Sequence, residues 1–214
     1  MKKILVAVAF ILSAQFVMAQ PNEKYIAAMK KNLESMDAAF KSPAGLLALA
    51  NQFERIAVAE KKEWLAYYYA ALLQVNTAFM QQDPSGMDAI ADKASALINS
   101  ADSLSANNSE ISCVKAMIAT VRMLVNPMER YMQYGPEIET NLENAKAQDA
   151  ANPRPYYLKG ENLKNTPEQF GGGCATASPL LKTAKEKFDA FKPASALHPT
   201  WGLQRVEKLL TECK

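Results

Sequence analysis

The chain has 214 residues, 49% of them hydrophobic and 21% charged, which excludes a disordered or collagen-like polymer. Only 8 glycines are present, which argues against a turn-rich all-β domain. Its 24 basic residues include Lys2 and Lys3; without those two they equal the 22 acidic ones, so net charge draws the chain neither to nucleic acid nor to acidic lipid.

Lys2 and Lys3 open the sequence, and an apolar run from Ile4 to Val17 follows, broken only by Ser13 and Gln15. Val17-Met18-Ala19 then offers small or short residues at the −3 and −1 positions of a cleavage site. The expectation is a signal peptide over 1–19 and a mature domain over 20–214. No later segment reaches the roughly 20 apolar residues of a membrane span. The reading is export, into a bacterial periplasm.

Beyond the leader the local signals are helical. Ser42-Pro43 and Asp83-Pro84 each read as an N-cap followed by proline at the first helical position. Trp64, Tyr68, Leu72, Val75 and Phe79 form one apolar stripe, and Ile111, Val114, Ile118, Val121 and Val125 form another. No segment alternates like a strand. Helices are expected over 22–40, 43–59, 61–81, 84–104, 108–125, 135–150, 153–166, 175–191 and 200–212, with a short extra turn at 127–133. Short connections make successive helices antiparallel neighbours. A weak period appears as well: Asn107-Asn108, Asn152-Pro153 and His198-Pro199 each stand between one helix and the next, about 45 residues apart. It divides the chain into repeats at 61–106, 107–151 and 152–197, with a capping segment at 198–214.

Within these repeats Tyr156, Gly160 and Leu163 match the aromatic, small and apolar spacing of helix A in tetratricopeptide (TPR) repeats; Trp64, Tyr68 and Ala71 match it loosely. Ala145, Ala147 and Asn152-Pro153 resemble the end of that family's helix B. The stretch from Asn152 to Gly160, with Phe170-Gly171-Gly172-Gly173, also resembles exported helical-repeat proteins associated with TRAP transporters. The period exceeds the family's 34 residues, through inserts at 126–134 and 164–174, and leaves HEAT-like pairing open. The resemblance implies an all-α stack of antiparallel helix pairs, wound as a right-handed superhelix with a concave binding face, and no catalysis.

No motif carries a reaction. The glycines at 171–173 lack the Walker and Rossmann spacings and read as a connector between helices. Cys113, Cys174 and Cys213 do not cluster as zinc ligands, so no metal and no cofactor are expected. One bridge and one free thiol fit an exported chain, with Cys174 and Cys213 as the bonded pair and Cys113 in the core. His198 reads as a turn residue, and Glu137, Glu139 and Glu143 as a solvated face. Tyr67, Tyr68 and Tyr69 sweep about 200° of a helix and cannot all face one core. Tyr156 and Tyr157 repeat the situation, with Arg154 beside them. These six residues are the candidate binding surface on the A helices, because tyrosine joins apolar area to a polar tip. The reading is a non-enzymatic scaffold for a protein or peptide partner. Its alternative is a ligand-carrying subunit of a transport system that holds a small apolar molecule. N-terminal sequencing of envelope material is expected to begin at Gln20; a product that keeps Met1 contradicts the leader.

Overall fold

The computed structural model describes residues 23–214, and the expected signal segment 1–19 lies outside the described residues. Ten α-helices follow in order, with no strand among the described residues: α1 Glu23–Glu34, α2 Met36–Ala39, α3 Pro43–Glu60, α4 Trp64–Phe79, α5 Met87–Leu104, α6 Ser109–Leu124, α7 Pro127–Gln148, α8 Arg154–Asn165, α9 Cys174–Ala190 and α10 Leu203–Glu212.

Local chemistry sets the boundaries. The Ser42 hydroxyl accepts from the Gly45 N–H ahead of Pro43, and the Asn108 side chain accepts from the Glu110 N–H, so α3 and α6 start on capped donors. Asp83 does the same for a single 3₁₀ turn at Pro84–Gly86. Three expectations change. The helix expected over 22–40 breaks at Ser35, whose hydroxyl turns back to the Lys31 carbonyl and competes with the backbone ladder. The separate turn at 127–133 is continuous with α7, with Pro136 inside the helix. Proline removes one backbone bond there without ending the helix, because the surrounding turns stay paired. Helix α10 starts at Leu203 instead of 200, since Gly202 at φ 118° turns the chain first.

Each helix from α3 onward packs on the next in sequence, and α4 also touches α6, as α6 touches α8. That is a stack of pairs α4–α5, α6–α7 and α8–α9, with α4, α6 and α8 side by side. Gly160 allows α8 to approach α9 closely: a Cβ there would sit 2.8 Å from the Leu181 side chain. The chain then doubles back. Segment 191–202 returns to α4, where Leu197 is buried and its carbonyl accepts from the Tyr69 hydroxyl at 2.9 Å. Cys174, opening α9, is bonded to Cys213 just after α10, with Cα atoms 5.2 Å apart, while Cys113 is a buried free thiol.

The bridge closes a loop with a sequence separation of 39. The chain-entropy relation values such a closure at about 4 kcal/mol. A Cys174→Ser, Cys213→Ser double variant is expected to lose two to four kcal/mol of that order in urea unfolding. An unchanged midpoint would show that the bridge adds nothing to the return segment's hold.

Candidate functional site

Antiparallel pairing gives the stack two edges. The starts of α6 and α8 lie at one, where Asn152 donates to the Ser109 hydroxyl and Ser109 donates to the Ala145 carbonyl at the end of α7. The other edge carries the ends of α4 and α6 and the starts of α3, α5 and α7. Pro43 and Met80 line one shallow depression there, and Arg130 in α7 reaches Asp88 in the first turn of α5.

The candidate residues named from sequence gather at the first edge, and most of them are sealed. Arg154 is 0% exposed. Its guanidinium donates to Glu110 at 2.8 Å and to the Pro199 carbonyl at 2.7 Å. It also lies 4.9 Å from the ring centroids of both Phe191 and Trp201. The Tyr68 hydroxyl donates to Glu110 at 3.1 Å and accepts from the Trp201 indole N–H at 2.8 Å. Tyr69 is buried against Phe53 and the returning Leu197, and Tyr157 is buried edge-on to Trp201. The expectation that this set forms an open recognition surface is therefore corrected for Tyr68, Tyr69, Tyr157 and Arg154. The tyrosines do point in different directions, but α4 has protein on nearly every side, and segment 191–202 covers the direction that would face a groove. Tyr67 and Tyr156 remain half-buried; the Tyr156 ring lies between Lys146 and Lys187, with nitrogens 5.3 and 4.8 Å from its centroid.

Electrostatics follow burial. Desolvation pushes the Glu110 carboxyl up, and Arg154 with the hydrogen bonds from Tyr68 and Asn152 pulls it back. Burial raises the hydroxyls of Tyr68, Tyr157, Tyr69 and Tyr25 well above the usual tyrosine range. His198 is lowered by burial; its Nδ1 meets the Ser195 hydroxyl at 2.8 Å and its ring stands edge-on to Trp64. Among the described residues no cluster of His, Cys, Asp and Glu could hold a metal ion. The glycines at 171–173 serve the turn itself: Gly171 and Gly173 have φ of 82° and 88°, and a Cβ on Gly172 would strike the Thr166 carbonyl at 2.0 Å.

The second edge carries what the sequence reading did not single out. Met128 is 83% exposed, Met132 81% and Tyr131 61%, on consecutive turns at the start of α7. Leu124 at the end of α6, Phe79 and Met80 at the end of α4, and Phe170 in the connection after α8 are also exposed. Because α4, α6 and α8 run parallel, these side chains belong to one edge. The signal available in sequence was the four-residue spacing of Leu124, Met128 and Met132, running from the end of one helix into the insert that lengthens the repeat. Read as a short extra turn, 127–133 concealed that stripe.

The described residues thus form an all-helical stack of antiparallel pairs with one exposed apolar edge. The HusA haemophore from Porphyromonas gingivalis is 36% identical to this chain over 89% of it and 92% of that protein, with a TM-score of 0.79. The chain belongs to the family of that haemophore. No family model matches the sequence, and no curated protein does. Among the described residues no helix is long and apolar enough to cross a membrane.

The raised tyrosine hydroxyls give an alkaline prediction. A group whose folded value is raised stabilises fully below its unfolded value, near 10 for tyrosine, and loses that contribution as pH climbs past it. In a spectrophotometric titration, Tyr25, Tyr68, Tyr69 and Tyr157 are expected to ionise only together with unfolding. Smooth ionisation of all 8 tyrosines in folded protein would contradict their burial.

Proposed function

We propose that this chain is an exported haem-binding protein that holds its ligand by apolar contact at the edge where α4 and α6 end and α7 begins. The observation that carries the reading is the exposed Met128, Tyr131 and Met132 face, in a member of a haemophore's family. Exposed side chains of this size and number, next to Leu124, suit a flat apolar macrocycle better than solvent. Tyrosine offers a ring to stack on, and the unbranched thioethers of methionine adapt to an irregular surface. His198, the chain's single histidine, belongs to the opposite edge, so imidazole ligation of the iron has no part in the reading.

The repeats at 61–106, 107–151 and 152–197 would then form a TPR-like superhelix within a single domain at 20–214, delivered by the 1–19 leader. Its inner face is filled at one end by segment 191–202, so the ligand takes the end that segment leaves uncovered. Carriage of a small apolar ligand thereby takes precedence over the protein or peptide scaffold, whose case rested on accessible tyrosines at the filled end. Catalysis is no part of this reading.

Haem titration followed by the Soret band tests it. Wild-type protein is expected to shift the band and saturate. A Met128→Ser, Tyr131→Ser, Met132→Ser variant is expected to bind roughly tenfold or more weakly, about 1.4 kcal/mol or more. Its helix content should be nearly unchanged, since these side chains are largely exposed in the free protein. Equal affinity in the triple variant would remove the edge from the reading, and absence of any shift in the wild type would remove haem.

A further inference from the structure

Helix α7 is two half-helices in series. Its second half buries Ile138, Leu142 and Ala145, whereas residues 127–135 bury nothing fully. Gly135 and Pro136 separate the halves. Proline lacks the N–H that would bond the Met132 carbonyl, and its ring crowds that carbonyl, so the helix is weakest against bending at this point. Gly135 carries no Cβ, and the Tyr131 ring uses the space, 3.2 Å from where a Cβ would stand. At the other end Asn126 makes no side-chain cap, and Pro127 follows it.

Two side chains hold this half to the body: Tyr134, next to Gly135, packs half-buried against the core, and Arg130 makes the polar tie. Arg130 donates twice to Asp88, at 2.7 and 2.9 Å, and once to the Arg122 carbonyl at 3.0 Å. At about 100° per residue, Met128 and Met132 each lie about 160° around the helix from Arg130. The polar back of the half-helix is thus tied to α5 while its methionine face points away from the tie. Both partners of the ion pair are partly exposed, and exposed pairs are weak. Turning the half-helix shifts the half-buried Tyr134 beside the hinge but withdraws no fully buried side chain from the core.

We propose that residues 127–135 form a lid that turns about Gly135-Pro136, is held back by the Arg130–Asp88 latch, and closes its Met128, Tyr131 and Met132 face over the bound ligand. The proposal rests on the haem-binding reading. A flat macrocycle has two apolar faces; a row of helix ends covers one, and the lid covers the other. Closure also takes three long apolar side chains out of water, which is the driving force the free protein lacks.

Soret titration of wild type, Asp88→Asn and Pro136→Ala, with hydrogen exchange of each in the free and haem-loaded forms, tests the lid. Releasing the latch in Asp88→Asn is expected to tighten binding roughly two- to fivefold, through slower dissociation, because closure no longer breaks an ion pair. Pro136→Ala restores the missing backbone bond and is expected to weaken binding several-fold by stiffening the hinge. In wild type, amides of 128–135 should gain protection on haem binding while those of 138–148 stay constant. Asp88→Asn binding that is unchanged or weaker overturns the lid and leaves the haem reading standing. So does protection spread evenly along α7. A wild type without a Soret shift overturns both.

Discussion

A buried charge is tolerated only when its partners satisfy it, and breaking such a pair leaves an uncompensated ion in the interior. Glu110 and Arg154 meet that requirement from different helices. Glu110, in the first turn of α6, receives hydrogen bonds from Tyr68 of α4, from Asn152 ahead of α8 and from Arg154 at the start of α8. Arg154 passes the connection on to the Pro199 carbonyl, and Trp201 closes the circuit onto Tyr68. One polar network thereby fixes three parallel helices and the returning chain against one another. Aromatic rings of Phe188, Phe191 and Trp201 surround the guanidinium and exclude water, which strengthens each of those bonds.

That network decides which surfaces remain for function. It draws segment 191–202 across one end of the stack, and α10 then runs back to the other end, where the bridge from Cys174 to Cys213 ties the chain end to the start of α9. Residues that would otherwise line an open inner face become core: Tyr68, Tyr69 and Tyr157 give their rings to packing and their hydroxyls to internal partners. The opposite edge has no such cover. There the connections after α4, α6 and α8 leave Phe79, Met80, Leu124 and Phe170 facing solvent. The insert that lengthens the second repeat adds Met128, Tyr131 and Met132 to them. An edge of this kind costs solubility unless something occupies it. Haem is the occupant proposed above, on the strength of the haemophore relative.

The two ends also differ in how firmly they are held. At the network end, burial, ion pairing and hydrogen bonding coincide. At the opposite edge, the first half of α7 is held by the hydrogen bonds of Arg130 and by the half-buried Tyr134. With that division, adaptation at one edge need not disturb the packing that fixes the other.

Much of this is legible in the amino-acid sequence. Helical periodicity, proline after Ser42 and Asp83, and the scarcity of glycine specify an all-helical chain, because caps and stripes are local properties of a few adjacent residues. The Cys174 and Cys213 pairing was reachable too, since only Cys113 sits on an apolar helical stripe. The fate of the tyrosines was not legible. Tyr68 and Leu197 stand 129 residues apart in sequence order yet share one neighbourhood, through contacts with Tyr69 and Trp201 that no local pattern encodes. Arg154 illustrates the same limit: a surface cation by composition, it is the largest fully buried side chain once Glu110 and Pro199 arrive from about 44 residues to either side. The sequence by itself determined the helices and their pairing, which depend on near neighbours. Only the tertiary structure decided which aromatic residues would be core and which apolar ones would stay outside, because burial depends on what the rest of the chain brings alongside.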